Sequence, residues 1–192
     1  MIKNLLLLII LLIVAGEKAI AGNIEQLMAT LQNSNLQTRL LAEEELGKVK
    51  DDRTVNALLK IVVVKGEDWR IKIRVIRLLA EMGNPKAEEL LVRIFNAPFL
   101  NEECPAIKWN TAIALGKDLN KGSRAVPFLL HSLNDKSFAI KFSTIKALGD
   151  IGDSRAIHFI KQLADSDNDP YIKEAALTVF KNLLSQGGVI DY

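Results

Sequence analysis

Two histidines, one cysteine and two runs of carboxylates are the side chains of this 192-residue sequence that could do chemistry. A metal site needs such ligands clustered. His131 and His158 stand beside apolar Leu130 and Phe159, and neither starts a His-Glu pair. They also occupy different columns of the sequence repeat, so separate surface positions are expected. A Cys-His nucleophile would need an imidazole within hydrogen-bond reach of Cys104, and nothing in the sequence orients one there. Glu43–Glu45 reads as a solvated helix face. Asp165–Asp169 begins like a calcium loop but lacks the glycine at the sixth position and the glutamate at the twelfth. The stretch Ala147–Ile157 carries Gly149, Gly152, Asp153 and Arg155, residue types that could cradle a phosphate. Phosphate loops follow strands, whereas an apolar helical pattern precedes this one. No catalytic residue, metal or cofactor is expected.

That stretch also recurs. Ile151–Ile157 (IGDSRAI) has counterparts in Val49–Val55 (VKDDRTV), Met82–Glu88 (MGNPKAE) and, with one inserted residue, Asn120–Val126 (NKGSRAV). A basic residue returns at Arg39, Lys72, Lys108, Lys141 and Lys173, at spacings of 33, 36, 33 and 32. Three residues after each comes Ala42, Val75, Thr111, Thr144 or Ala176. Seven after each comes Leu46, Leu79, Leu115, Leu148 or Phe180. Intervals of three and seven put these residues on one helical face, and such a period marks a stacked-repeat architecture. Each unit reads as helix, turn, helix, corner. First helices are predicted near 23–32, 53–65, 85–96, 123–133 and 154–165. Second helices are predicted near 35–48, 69–82, 104–117, 136–149 and 170–184. Gly149 and Gly152 read as exits from helical geometry, and Asp153 or Ser154 as the cap of the next helix. Cys104 is expected at a helix start, before Pro105.

Six residues before each basic residue lie Asn33, Gly66, Glu102, Asp135 and Asp167. A turn acid and a basic residue one turn into the second helix can reach each other and the matching pair of the next repeat. The expected result is a structural ladder through Arg39, Lys72, Lys108, Asp135, Lys141, Asp167 and Lys173 that sets register. A second stripe lies elsewhere on the second helices. At 100° per residue Arg70, Arg74 and Arg77 share one side. The same columns hold Leu41 in repeat 1, Asn110 and Ile113 in repeat 3, Lys146 in repeat 4 and Tyr171 in repeat 5. These eight residues form the candidate protein-binding face.

The segment Asp135–Leu177 resembles a HEAT repeat, of the bacterial type also found in phycobiliprotein lyases. The resemblance rests on the turn residues Asp135 and Asp167, the basic Lys141 and Lys173, and the segments ALG and IGDSRAI. It spans roughly Asn23 to Leu184. It implies an all-α fold: a right-handed α-solenoid of about five helix pairs, with second helices lining the concave side and extended surface left for binding. The repeated His-Glu pairs of HEAT-like di-iron hydroxylases are missing from the sequence.

The start of the chain has a different character. Lys3 precedes the apolar run Leu5–Val14, and Ala19-Ile20-Ala21 follows with small residues at Ala19 and Ala21. This is the three-part layout of a secretory signal peptide, and the run is too short for a span of roughly 20 residues. The expected organisation is a signal peptide over 1–21, the solenoid over 22–186 and a tail over 187–192. With one cysteine, no intramolecular disulfide can form. The net charge of +2 argues against a nucleic-acid binder. The function expected is that of an exported, monomeric, non-catalytic scaffold in a bacterial envelope, periplasmic or extracellular. It would bind an acidic protein or peptide on the concave face, with no membrane span in the mature chain. The alternative is a cofactor- or chromophore-handling subunit related to HEAT-like lyases.

Overall fold

The computed structural model describes residues 24–32, 35–117 and 124–186. The signal-peptide reading with Ala19 and Ala21, Asn33, part of the lengthened corner and the tail lie outside them. The described residues form helices and connections, with no strand among them.

Helix α1 covers 24–31. It is followed by α2 (Leu36–Lys48), α3 (Asp52–Val63), α4 (Trp69–Glu81), α5 (Pro85–Phe95), α6 (Pro98–Glu103), α7 (Pro105–Lys117), α8 (Val126–Ser132) and α9 (Phe138–Ile151). A 3-10 turn at Ser154–Ala156 then leads into α10 (Ile157–Ser166), and α11 (Pro170–Ser185) ends the described fold. The five predicted pairs are α1/α2, α3/α4, α5/α7, α8/α9 and α10/α11.

Short polar residues start these helices. Asn35, Asp51, Asp68, Asn84, Ser137, Asp153 and Asp169 each accept a backbone N–H of the following turn, which satisfies donors a helix start leaves open. Some caps also join repeats. The Asn84 side-chain amide donates to the Lys50 carbonyl (2.9 Å) and to Asp52 Oδ1 (3.2 Å), tying one corner to the preceding one. Buried Glu88 accepts the backbone N–H of Arg124 (3.0 Å), holding the entry of α8 against α5.

One continuous core runs through the stack, from Ile24 and Leu31 to Ile172 and Leu183. The three- and seven-residue columns are its centre: Ala42, Val75, Thr111, Thr144 and Ala176 are all buried, as are Leu46, Leu79, Leu115 and Leu148. Successive second helices pack directly on one another, α4 on α7, α7 on α9 and α9 on α11, more extensively than successive first helices do. The second helices thus approach one another more closely than the first helices do.

Glycine sets that approach. A Cβ on Gly116 would stand 2.6 Å from Ala147 Cα and 3.0 Å from its Cβ. A Cβ on Gly149 would stand 2.9 Å from Val179 Cγ1. This corrects the expectation for Gly149, which lies inside α9 and serves helix–helix contact. The exit from α9 belongs to Gly152 alone, with φ of 71°, a conformation glycine adopts without a Cβ clash. A second difference is α6 (Pro98–Glu103), which lies between the helices predicted near 85–96 and 104–117. Cys104 ends α6 and, half-buried, directly precedes α7, packed against the core.

Candidate functional site

Four of the seven ladder residues form two ion pairs, both between repeats. Lys108 Nζ donates to Asp135 Oδ2 at 2.7 Å, and Lys141 Nζ donates to Asp167 Oδ2 at 2.6 Å. In each case the basic residue of one repeat reaches the turn of the next. The other carboxylate oxygen organises its own turn: Asp135 Oδ1 accepts the Ser137 N–H and Asp167 Oδ1 the Asp169 N–H, both at 2.9 Å. Lys141 also acts on Asp135, and Lys173 on Asp167, through charge at longer range. Lys72 is wholly buried and Arg39 half-buried, and both are engaged in polar contacts.

Burial works to raise the pKa of Asp135 and Asp167. The lysine hydrogen bond, the backbone N–H and the neighbouring cations outweigh it, and both carboxyls sit below the ordinary carboxylate range. A folded pKa below the unfolded value of about 3.9 gives stability that is complete above that value and lost as pH falls through the folded one. The melting temperature should therefore hold from neutral pH to about 5 and fall below about 4. In Lys141→Met, which removes the partner of Asp167, that acid loss should be smaller, so the two melting curves converge as pH drops.

Arg155 answers the question of the phosphate-like stretch. Its guanidinium makes a two-pronged bond to Asp153, Nε to Oδ1 at 2.8 Å and Nη2 to Oδ2 at 2.7 Å, and its backbone N–H goes to the same carboxylate. A carboxylate already fills the place an anion would take. His131 and His158 are exposed and lie on different helices, α8 and α10. Among the described residues no group of three or more His, Cys, Asp or Glu is placed to hold a metal. Among them, too, no helix is long and apolar enough to cross a membrane.

The eight residues of the candidate binding face are distributed along the second helices. Leu41 (55% exposed), Ile113 (43%) and Tyr171 (69%) project their apolar surface outward. Arg77 and Lys146 are exposed, and Asn110, half-buried, donates to the Ala106 carbonyl of its own helix. The arginines have separate surroundings. Arg70 lies 4.6 Å from the Trp69 ring and 3.6 Å from Asp68. Arg74 donates to Glu43 Oε1 at 2.6 Å, across from repeat 1. Glu43 is thus half-buried in a cross-repeat pair, a correction to its reading as solvated face, while Glu44 and Glu45 are exposed and pair with Lys48. Of the three arginines of the stripe, Arg70 and Arg77 are exposed.

Sequence reasoning passed over the aromatic side chains beside this stripe. Trp109 is 39% exposed on α7, and Phe138 (47%) stacks on Phe142 of α9 with ring centroids 5.7 Å apart. Phe142 leads into a groove of about 600 Å³ between α9 and α11 that Lys146 and Tyr171 also line. Its floor is Phe142, Gly149, Ala175 and Val179. Asp150 stands on the α9 side, and Glu174, Thr178, Asn182 and Gln186 on the α11 side.

The stacked helix pairs and inter-repeat ladder define an α-solenoid. Family models for HEAT repeats match residues 24–99 and 96–181, and the chain belongs to the HEAT-repeat family. It is similar in fold to the complex of CpcE and CpcF of phycocyanin lyase from Nostoc sp. PCC7120, with 23% identity and a TM-score of 0.58, covering 84% of this chain and 65% of that one. It is also similar to human deoxyhypusine hydroxylase in complex with glycerol, with 23% identity and a TM-score of 0.61, covering 77% of this chain and 50% of that one. This chain therefore spans about half to two thirds of those two, and at such identity the likeness is one of fold. No curated protein matches it.

Proposed function

We propose that this HEAT-repeat protein is a non-catalytic adaptor that works outside the cytoplasm and docks another protein along its concave face. The observation that carries the reading is the row of exposed apolar and aromatic side chains on stacked second helices, Leu41, Trp109, Ile113 and Tyr171, flanked by the outward Arg70 and Arg77. Aromatic and arginine side chains are favoured anchors in interfaces, and a solenoid offers them on a long continuous surface. An acidic stretch of the partner would lie against Arg70 and Arg77. Export follows from the layout of residues 1–21; the mature chain would begin at Gly22, which N-terminal sequencing of the exported protein would read. The protein acts as a monomer. The alternative of a chromophore- or cofactor-handling subunit has the lyase-like fold in its favour.

Arg70→Gln with Arg77→Gln tests the docking mode. Neither side chain is buried, so thermal melts should match the parent. Binding of the physiological partner should weaken, with a loss that shrinks as salt rises, because exposed charges are screened beyond about 8–10 Å. Arg74 is kept in this variant because its bond to Glu43 joins two repeats. Unchanged partner affinity would remove the arginines from the site.

A further inference from the structure

The groove between α9 and α11 carries a charge arrangement that the fold does not use. Its charged lining residues are Lys146, Asp150 and Glu174, one base and two acids. Asp150 is exposed, four residues after Lys146 on α9, and among the described residues it forms no ion pair. It sits in the last turn of α9, the end at which a helix dipole disfavours negative charge. Neither α9 nor α11 has a basic residue in its last turn. The two helices run parallel, since Lys141 near the start of α9 meets Asp167 just ahead of α11, and Gly149 near the end of α9 meets Val179 further along α11. Their carbonyl ends therefore reach the same end of the groove, beside Asp150. A cation there would meet a carboxylate and two helix C-termini, with the side-chain oxygens of Asn182 and Gln186 close by.

We propose that this groove binds a basic peptide segment of the partner protein, with one large apolar side chain on the floor of Phe142, Ala175 and Val179 and an adjacent lysine or arginine at Asp150. The proposal rests on the protein-docking reading and specifies it. The concave face is cationic in repeat 2, at Arg70 and Arg77, and anionic at the end of the groove. A partner lying along it would present acid to one end and base to the other. An exposed carboxylate at a helix C-terminus is mildly unfavourable, and a bound cation would offset that.

The test uses a fluorescein-labelled ten-residue peptide with a central Phe flanked by two lysines, titrated into the full chain and followed by anisotropy. Two control peptides replace the lysines by glutamates or the Phe by Ser. The Lys-Phe-Lys peptide should bind at about 1 mM or tighter, and each control about tenfold more weakly. Asp150→Asn should weaken the Lys-Phe-Lys peptide about fivefold or more while its melting temperature stays equal or rises. Ala175→Trp should block binding by filling the floor, with the helical circular dichroism signal as the check on folding. Arg70→Gln with Arg77→Gln should bind the peptide as the parent does. A loss of partner binding in that double variant while the groove fails its test would overturn the groove and leave the docking reading standing. Equal affinity for the lysine and glutamate peptides, no detectable binding, or full binding by Asp150→Asn would each overturn the proposal.

Discussion

Gly116→Ala should be among the most damaging single-methyl changes in the molecule. The added Cβ would stand 2.6 Å from the Ala147 α-carbon and 3.3 Å from its carbonyl oxygen. Backbone cannot rotate away as a side chain can, so α7 and α9 must separate, and the core between them opens. Overpacking of this kind costs about 1–3 kcal/mol, and more when no neighbour can yield; for a chain of this size 3 kcal/mol lowers the melting temperature by about 6–12 °C. The repeat supplies its own controls, because Gly47, Gly116 and Gly149 occupy one column. Nothing lies within 4 Å of a Cβ on Gly47, so Gly47→Ala in α2 should be neutral or stabilising by up to about 1 kcal/mol. Gly149→Ala should fall between, since its obstacle is a Val179 methyl that can move. Thermal melts of the three variants give the order. Equal effects at Gly47 and Gly116 would mean that α7 and α9 are not in contact there.

Lys141→Met should cost about 1–3 kcal/mol. Asp167 is 9% exposed at its side chain and its bond to Lys141 is 2.6 Å, so removing the lysine leaves a carboxylate without its main compensation. Lys161 and Asp165 make a pair of similar length, 2.7 Å, with both side chains at least half exposed. Asp165→Asn there should cost no more than about 0.5 kcal/mol. A double-mutant cycle on Lys141 and Asp167 should give coupling of about 0.5 kcal/mol or more. The cycle on Lys141 and Asp135 should give less, because that pair acts only through charge at a distance. The reverse order would place the lysine on its own repeat's turn.

The repeat period made the helices legible, because apolar columns at three and seven residues mark one helical face wherever they recur. What stayed hidden depended on which residues of neighbouring helices meet. Glu43 and Arg74 are 31 residues apart, as are Gly116 and Ala147, while Gly149 and Val179 are 30 apart. Contacts between second helices thus fall a few residues short of the period, and that offset, applied to the sequence, would have paired Glu43 with Arg74. Gly149 was read as a helix exit because a glycine in a last turn looks the same whether it ends the helix or admits a neighbour. Helix α6 falls between the predicted helices near 85–96 and 104–117 and has no counterpart among the described residues of the other repeats, so the period does not mark it; Pro98 suits its first turn. The α9–α11 groove was half legible: Lys146 and Tyr171 were on the predicted face, but its depth comes from Gly149 and Ala175, whose small size leaves no sequence pattern.

Crosslinking from single positions tests the central claim of concave-face docking most directly. A photoreactive phenylalanine analogue would replace Ile113 or Tyr171 on the second helices, and Asn56 or Glu89 on the first helices, in protein expressed in its native cells. All four positions are exposed, so differences report location. The account predicts one adduct of the same discrete mass from Ile113 and Tyr171 and none from Asn56 or Glu89. Adducts from the first-helix positions alone, or none from Ile113 and Tyr171, would contradict it.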